Sequence, residues 1–388
     1  MNLRAGLAAA LFVVVGCGVV PPIAGPHDPT RASARPPLGL DLLALRWKHV
    51  TADRRSEVRP QEFATPTVAG DTVYAGSYSG GLLALDATTG AVRWRLKTAP
   101  ISSAPLAYAG LLYVGTDNGR LLCLDAQTGV ERWAFATTGA IGQQPQLTGE
   151  LVIFANEAGE VRALDALTGV SRWQYASSDP MENPLRGHAG VSIAGDLAFT
   201  GFADGTMVAL RTETGSLAWS ASLRGDADKF IDVDATPIVL GEALYVVSSS
   251  GGVWSLDRAT GRVRWHLPLL DAAAPGATGS GGTIATDGER LFVAAAELGV
   301  YALDLAGHVL WRQGTHGGGE PAIPIVAGDL VVYSLAEDGM FLADRRTGEL
   351  YEYFDPGEGI SAAPAITGDG LFVMSNLGVL YAFDLEQP

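Results

Sequence analysis

Four aspartates stand within nine residues of one another, and they are the side chains best suited to holding a metal ion. They are Asp226, Asp228, Asp232 and Asp234. Carboxylate oxygens are the ligands that Ca²⁺ prefers, but this segment has neither the central glycine nor the terminal glutamate of an EF-hand loop. The six histidines are scattered, without the spacing of a zinc site. We therefore predict no metal centre, and calcium binding at the four aspartates stays an open alternative.

Motifs of catalysis and cofactor binding do not stand out in the sequence. The glycine-rich segments at 279–282 and 317–319 lack the Lys-Ser/Thr or strand–helix context of a nucleotide loop. No Gly-x-Ser-x-Gly elbow or Cys–His arrangement is evident. The net charge of −16 is unfavourable for contact with a phosphate backbone. We predict a non-catalytic protein with no cofactor, no small-molecule substrate and no nucleic-acid partner.

The N-terminal residues have the features of an export signal. Arg4 precedes a compact apolar segment, Ala5–Val15, which is too short to span a bilayer. The following Val14-Val15-Gly16-Cys17 resembles the bacterial lipoprotein box, in which the cysteine becomes the lipidated first residue of the mature chain. The alternative is an ordinary cleavable signal followed by an incidental cysteine.

The segment after Cys17 is typical of a tether. It is rich in Pro, Ala and Arg and lacks periodicity. Under the lipoprotein resemblance, Gly18 implies sorting to the outer membrane, with the protein anchored by acyl chains (palmitate) on the periplasmic face. The predicted domains are a signal peptide at 1–16, the lipidated Cys17 with a flexible tether at 17–40, and a globular part at 41–388.

A unit of the form Asp-x-x-Thr-Gly, followed by a tryptophan, recurs along the globular part. Asp86–Gly90 precedes Trp94, and Asp125–Gly129 precedes Trp133. Asp and Thr side chains bond to turn backbone and Gly supplies a positive φ, so the unit is typical of a hairpin turn. A tryptophan at a fixed offset offers a large flat surface to a neighbouring unit. The predicted structural tryptophans are Trp47, Trp94, Trp133, Trp173, Trp219, Trp265 and Trp311.

The number of repeats predicts the fold. Repeat marks fall at residues 86, 125, 165, 211, 257, 304, 344 and 384, with four short strands to each repeat, which is the signature of a β-propeller. The last mark, Asp384, is too near the end of the chain for a tryptophan strand to follow, but Leu42–Trp47 precedes the first full repeat. We predict an all-β, eight-bladed β-propeller of four-stranded antiparallel blades. Its ring closes by pairing the N-terminal and C-terminal segments in one blade.

The repeat Ala-x-Asp-x-x-Thr-Gly-x-x-x-Trp resembles that of the PQQ-like propeller superfamily over nearly the whole mature chain. Together with the lipoprotein box and the eight blades, it is similar to the BamB family, lipoproteins of the outer-membrane β-barrel assembly (BAM) complex. Two segments, Leu185-Arg186-Gly187 and Asp232-Val233-Asp234, resemble loops with which that family contacts the POTRA region of BamA.

This resemblance implies a scaffold that docks on the BamA POTRA domains and aids the assembly and insertion of outer-membrane proteins. Nascent outer-membrane proteins are a further implied partner. The docking residues carried over are Leu185, Arg186, Asp232 and Asp234. Two positions depart from the family pattern: Asn183 stands where an apolar residue is frequent, and Arg211 replaces a turn aspartate.

Three consecutive connections that follow a tryptophan strand are longer than those from Trp94 to Pro105 and from Trp133 to Pro145. They run from Trp173 to Gly190, from Trp219 to Pro237 and from Trp265 to about Thr283. Equivalent connections lie on the same side of a propeller, and consecutive blades are neighbours. We therefore predict one continuous patch, of the kind where binding residues are commonly found. Both BamB-like segments fall within it.

Alternatives remain for the patch and for the function. Arg186 is suited to a partner carboxylate beside the apolar Leu185, but it could equally hold the neighbouring Asp232 and Asp234 within the protein. The protein could instead be a lipoprotein propeller that binds a polysaccharide or another protein, such as a respiratory partner. A quinoprotein enzyme is a third reading, although the enzymes of the superfamily are longer and typically have adjacent cysteines that this chain lacks.

Overall fold

The structure is a computed structural model that describes residues 38–52, 54, 57–177, 189–224, 232–248, 252–269, 282–295, 299–314 and 319–388. These residues form 32 strands and no helix, and all belong to one compact unit, Ser33–Pro388. The predicted signal peptide, Cys17 and Gly18 lie outside the described residues, as do Asn183, Leu185, Arg186, Gly187, Asp226 and Asp228.

The strands form eight four-stranded antiparallel sheets, the blades, and each blade is ordered from its first strand to its fourth. Blade 1 contains β2 Thr67–Ala69, β3 Thr72–Ser77, β4 Gly81–Asp86 and β5 Val92–Leu96; blade 2 contains β6 Leu106–Tyr108, β7 Leu111–Gly115, β8 Arg120–Asp125 and β9 Glu131–Ala136. Blade 3 contains β10 Gln146–Thr148, β11 Leu151–Asn156, β12 Glu160–Asp165 and β13 Ser171–Ala176; blade 4 contains β14 Ser192–Ala194, β15 Leu197–Gly201, β16 Thr206–Arg211 and β17 Leu217–Ser222.

The second half of the ring repeats this order. Blade 5 contains β18 Ile238–Leu240, β19 Ala243–Ser248, β20 Gly252–Asp257 and β21 Val263–Leu267; blade 6 contains β22 Gly282–Thr286, β23 Arg290–Ala295, β24 Gly299–Asp304 and β25 Val309–Gln313. Blade 7 contains β26 Ile325–Ala327, β27 Leu330–Ser334, β28 Met340–Asp344 and β29 Leu350–Phe354; blade 8 contains β30 Ala365–Thr367, β31 Gly370–Met374, β32 Val379–Leu385 and, as its fourth strand, β1 Leu43–Val50. The first strands of most neighbouring blades contact each other, as β2 does with β6 and with β30, so the first strands surround the axis of the propeller.

The eighth blade closes the ring with strands from both ends of the chain. β1 pairs antiparallel with β32, so that Trp47 lies opposite Ala382. The Arg46 Nε atom donates to Asp384 Oδ1 at 2.9 Å across the same pair. Closure in this way leaves no blade with a missing outer strand. The predicted eight-bladed, all-β propeller and its mode of closure are confirmed.

Each complete blade has one row of side chains that builds its contact with the next blade. In blade 1 this row is Tyr74 on the second strand, Ala84 on the third and Trp94 on the fourth. The small middle residue leaves room for the aromatic rings on either side, whose centroids are 5.9 Å apart. In blade 2 the buried Cys123 takes the middle position, between Tyr113 and Trp133.

The tryptophan of one blade covers the turn of the next. Trp94 lies against Gly129, where a Cβ atom would collide with its ring, and Gly129 has a φ of 72°. The Trp94 Nε1–H donates to Ala126 O at 3.0 Å. The same contact recurs from Trp47 to Ala87, Trp133 to Ala166, Trp173 to Thr212, Trp219 to Arg258, Trp265 to Leu305 and Trp311 to Arg345. Apolar burial and a directed hydrogen bond therefore join neighbouring blades at one point.

The covered turn is stiffened by its own side chains. Asp125 Oδ1 accepts from the backbone N–H and the hydroxyl of Thr128, at 2.9 and 2.8 Å, and Asp125 Oδ2 accepts from Arg132 at 2.6 Å. Hydrogen bonds from Arg132 and Thr128 lower the pKa of Asp125 to about 2. Where Arg211 replaces the aspartate, it pairs instead with Asp196 at 2.7 Å.

Blade 7 lacks the tryptophan, and its contact with blade 8 is built differently. Glu352 occupies the tryptophan position, in one row with Val332 and Leu342. The following blade has no hairpin turn there, because its fourth strand begins the described chain. Glu352 Oε2 accepts instead from the backbone N–H groups of Leu42 and Leu43, the second at 3.0 Å. In the contact between blades 7 and 8, the Glu352 carboxylate therefore accepts hydrogen bonds from backbone N–H groups. In the other seven blade contacts, an indole N–H donates to a backbone carbonyl.

One turn between a first and a second strand differs from its equivalents. Six blades have a glycine at its first central position, with φ between 55° and 63°, namely Gly70, Gly149, Gly195, Gly241, Gly328 and Gly368. Blade 2 has Ala109 there with a φ of 49°, followed by Gly110 at 79°. Two positive φ values define a type I′ turn, which favours Asn-Gly. A non-glycine residue other than Asn or Asp is strained in this conformation.

We predict that Trp173→Phe lowers the free energy of unfolding by about 1–3 kcal/mol more than Trp94→Phe. Both changes remove an indole N–H. Ala126 O keeps a second donor, the Tyr74 hydroxyl at 3.0 Å, whereas Thr212 O has no second side-chain donor in the described part of the chain. Chemical denaturation of the two variants measures the difference. Equal losses would contradict the role assigned to the hydrogen bond.

We predict that Ala109→Asn raises the free energy of unfolding by about 0.5–1 kcal/mol, because Asn-Gly suits the type I′ turn and relieves the strain. The matched control is Gly149→Ala, whose Cβ would meet no atom within 4 Å. This variant should lower the free energy of unfolding by about 1 kcal/mol, because alanine is unfavourable at a positive φ even where its Cβ has room. Thermal unfolding of both variants measures the two effects. An unchanged or lower stability for Ala109→Asn would refute the strain.

Candidate functional site

Blade topology assigns every connection to one of two faces. Because strands alternate in direction, the turn between the second and third strands lies on the same face as the connection to the next blade; we call this the connection face. The other face carries the Asp-x-x-Thr-Gly turns, and we call it the turn face. Backbone bonds agree with this assignment: Thr51 N donates to Gly378 O at 2.8 Å on the connection face, and Ala126 N donates to Gly110 O at 2.9 Å on the turn face.

The three long connections all belong to the connection face, since they join blades 3 to 4, 4 to 5 and 5 to 6. The structure describes them up to residues 177, 224 and 269 and again from 189, 232 and 282. Leu185 and Arg186 lie in the first of these gaps, so their geometry is not described. Asp232 and Asp234 lie on the described side of the second.

The ends of the first two connections are hydrogen-bonded to each other. Gly190 N donates to Thr236 Oγ1 at 3.0 Å, and the Ser192 hydroxyl donates to Pro237 O. Gly190 follows the Leu185–Arg186 segment by four residues, and Thr236 follows Asp234 by two. The segment that follows the first predicted docking motif therefore enters blade 4 next to the segment that follows the second motif.

In the Asp232-Val233-Asp234 segment, a buried apolar residue that recurs in other blades stands between two aspartates. Val233 is buried against Gly201, and its N–H donates to Phe202 O at 3.2 Å. Ile101 and Ile141 lie against Gly76 and Gly115 in the same way. The middle residue of the motif is therefore part of the blade contact, which an alignment of the repeats by their following prolines could have shown.

The two aspartates differ in exposure. Asp232 is only 6% exposed, and burial raises the pKa of its carboxyl. Asp234 is half-buried. The sequence treats the two as an equivalent pair, but the structure leaves Asp234 the more accessible of them.

Carboxylates outnumber cations on the connection face. In the described turns and connections of this face, the acidic residues are Glu57, Glu62, Asp117, Glu157, Asp204, Asp232, Asp234, Glu320, Glu337, Asp338, Asp355 and Glu358. The basic residues there are Arg54, Arg59, Lys97 and Arg224. On the turn face, many of the aspartates are paired with arginines, as in Asp165–Arg172 at 2.6 Å. The described residues therefore give the connection face a net negative charge, which favours a basic partner surface.

Metal ligation finds no support in the described residues, where no group of three or more His, Cys, Asp or Glu side chains could hold an ion. Asp226 and Asp228 fall outside that set, so the calcium alternative is untested. Over the same described ranges, no helix is long and apolar enough to cross a membrane.

An ion pair on the connection face escapes prediction from the sequence. Arg54 and Glu62 are buried together in the connection from blade 8 to blade 1, 3.1 Å apart. Their segment has no counterpart in the other repeats, so no periodic signal marks it. Only the folded ring brings the two side chains together.

Comparison with known proteins agrees with the architecture. The family described as "Outer membrane protein assembly factor BamB" matches residues 39–105, 82–274 and 252–387. A protein of that name from Pseudomonas aeruginosa is 30% identical, covering 99% of this chain and 99% of the relative. Another, from Burkholderia pseudomallei, is 29% identical over 82% of this chain and 83% of the relative.

Solved structures share the fold. The crystal structure of BamB from Moraxella catarrhalis matches with a TM-score of 0.73 at 21% identity, covering 88% of this chain and 100% of that one. A europium-containing methanol dehydrogenase matches with a TM-score of 0.72 at 17% identity, covering 88% and 93%. The fold alone therefore occurs in enzymes as well, whereas the sequence match extends along nearly the whole chain. The chain belongs to the BamB family of outer membrane protein assembly factors.

Proposed function

We propose that this protein is a lipid-anchored, non-catalytic scaffold of the outer-membrane protein assembly complex. It docks through its connection face on the POTRA region of BamA, at the periplasmic side of the outer membrane. The observation that carries the proposal is the placement of three long connections on consecutive blades of one face. Two of them contain the BamB-like segments, and their ends are hydrogen-bonded at Gly190 and Thr236.

Family membership and electrostatics support this reading. The relatives are named as assembly factors, and the connections that contain the docking motifs belong to a face on which described carboxylates outnumber cations. A basic partner surface would be attracted to that face over distances of about 10 Å at moderate salt. Surface potential of this kind governs the rate and orientation of encounter, while a few anchoring residues govern affinity.

Within this proposal the docking residues have separate roles. Arg186 presents a planar fork of donors to a carboxylate or to backbone carbonyls, and Leu185 supplies an apolar anchor beside it. Asp234, half-buried at the surface, accepts from a basic group of the partner. Asp232 is nearly buried and therefore offers less of its carboxylate to the partner than Asp234 does. The scaffold holds the BamA domains and guides nascent outer-membrane proteins toward them.

The lipid anchor belongs to the same proposal. Acylated Cys17 would hold the protein at the membrane, with residues 18–40 as the tether. Contact with the propeller is already present at Leu38, whose N–H donates to Leu350 O at 2.9 Å. The span available to the tether is therefore the segment between Cys17 and Leu38. At about 3.1 Å per residue for an extended Pro-rich chain, this is roughly 65 Å.

We predict that Arg186→Ala combined with Asp234→Ala weakens binding to the POTRA region of BamA from the same organism by at least about tenfold, because two anchoring contacts are removed. The matched control is Arg211→Ala with Asp196→Ala, which removes an Arg–Asp pair from the turn face. Calorimetric titration of the purified proteins gives the three affinities, and circular dichroism verifies folding.

Each result has a distinct meaning. Loss of affinity in the first double variant alone would support docking through the connection face. Equal binding by all three proteins would keep the partner and reject this site. Absence of binding by the folded wild-type protein would reject the proposed function itself.

A further inference from the structure

The connection from blade 8 to blade 1 crosses the place where the ring closes. It leaves β1 at Thr51, whose N–H and hydroxyl both donate to Gly378 O at 2.8 Å. It then turns over the connection face before it enters β2. We call residues 57–62 of this connection the strap. No family-like docking segment identified in the sequence falls in it.

A buried ion pair fixes the base of the strap. The side chain of Glu62 is 0% exposed and that of Arg54 is 5% exposed. Glu62 Oε1 accepts from Arg54 Nη1 at 3.1 Å and from the Ser77 hydroxyl at 2.9 Å, and Oε2 accepts from Tyr78 N at 2.7 Å. Arg54 Nη1 also donates to Gln61 O at 2.6 Å. Both carboxylate oxygens are therefore satisfied, and breaking the pair would leave a buried charge.

A second set of bonds ties the strap to blades 7 and 8. Glu62 N donates to Asn376 Oδ1 at 3.1 Å. The Asn376 side chain donates in turn to Ala336 O at 2.8 Å and to Glu358 O at 3.0 Å. These bonds join the strap to the second turn of blade 7 and to the connection between blades 7 and 8. The strap is thus held by three neighbouring blades.

The tip of this rigid segment exposes an aliphatic and a cationic side chain. Val58 is 93% exposed, and the Arg59 side chain is 87% exposed. Arg59 has a φ of 51°, an unfavourable conformation for a long side chain. Its Nη1 approaches Glu337 Oε1 no closer than 3.9 Å, which is a weak exposed pair. An exposed valine and a weakly paired arginine contribute little to the stability of the isolated protein, and their exposure is what a binding partner would use.

We propose that the strap is a second docking point on the connection face, with Val58 as the apolar anchor and Arg59 as the donor to a partner carboxylate. The occupant is the same protein partner as in the proposed function, on which this inference rests. The partner's surface would be basic where it meets the carboxylates of the connection face, and it would present one carboxylate beside an apolar pocket at the strap. An exposed arginine beside carboxylates helps to fix the register of such a partner, because a shifted partner would set its basic groups against Arg59.

The buried Arg54–Glu62 pair holds the strap in one conformation before a partner binds. A loop that is already ordered does not lose conformational freedom on binding, so its anchors contribute more of their contact energy to affinity. Arg54 and Glu62 act as positioning residues, since neither is exposed to a partner. Arg54 also lies over the ring of Tyr78, 5.2 Å from its centroid, which extends the ordered surface beside the strap.

The test is calorimetric titration of the POTRA region of BamA with Val58→Ser combined with Arg59→Asn. Asn accepts a positive φ, so the backbone of the tip is kept while the guanidinium is removed. We expect binding at least about fivefold weaker and a shallower dependence of affinity on salt, because one charged contact is lost. The matched control, Arg262→Asn with Val263→Ser, removes an exposed Arg-Val pair from the turn face and should bind as wild type does.

Glu62→Gln tests the positioning role. Gln keeps the shape of the side chain but removes the buried charge that faces Arg54, which keeps only its pair with the more exposed Glu57 at 2.6 Å. We therefore expect a lower Tm and faster amide exchange in residues 57–62. Binding should weaken although Val58 and Arg59 are intact. Wild-type binding with unchanged affinity in the tip variant would overturn the second docking point and leave the proposed function standing. Absence of wild-type binding would overturn both.

Discussion

The contact on which the whole ring depends is the tryptophan that covers the turn of the next blade. It joins apolar burial to one hydrogen bond, from indole Nε1–H to a turn carbonyl, as Trp133 does with Ala166 O at 3.1 Å. The glycine beneath the ring is required because a Cβ atom would collide with the indole. The turn itself is held by its aspartate. Seven of the eight blade contacts repeat the indole contact, and six of the seven covered turns have the aspartate, Arg211 being the exception. The blades are therefore fixed relative to one another by similar contacts, which also position the connections of each face.

The eighth contact is where the two ends of the chain meet, and it is built differently. Glu352 accepts from backbone N–H groups at the start of β1, while Arg46 and Asp384 join the two terminal strands. On the opposite face, Arg54, Glu62 and Asn376 bind the connection that leaves β1. Polar contacts therefore stabilise the region around blades 7 and 8, where the indole contact is missing, on both faces of the ring. This arrangement also gives the connection face its rigid strap, so closure of the ring and presentation of a binding surface use the same residues.

Most of the fold is predictable from the sequence because it repeats. The spacing of Asp, Gly and Trp identifies the turns, the blade contact and the number of blades, and Asp384 with Trp47 identifies the closure. The candidate site is less predictable because it lies where the repeat is interrupted. Val233 is recognisable as a blade residue by analogy with Ile101, but the different exposure of Asp232 and Asp234 depends on tertiary packing. The Arg54–Glu62 pair joins residues of a segment that occurs once, and no pattern in the chain marks it.

The central claim is that β1 completes the ring as firmly as an internal strand completes its own blade. Native-state hydrogen exchange tests this most directly, by comparing the amides of β1 with those of β17, the fourth strand of blade 4. If the ring is closed as described, both sets of hydrogen-bonded amides exchange only through global unfolding and give the same free energy of opening to within about 1 kcal/mol. Exchange of β1 through a separate opening several kcal/mol below that of β17 would show that the terminal strand detaches on its own, and would contradict the account.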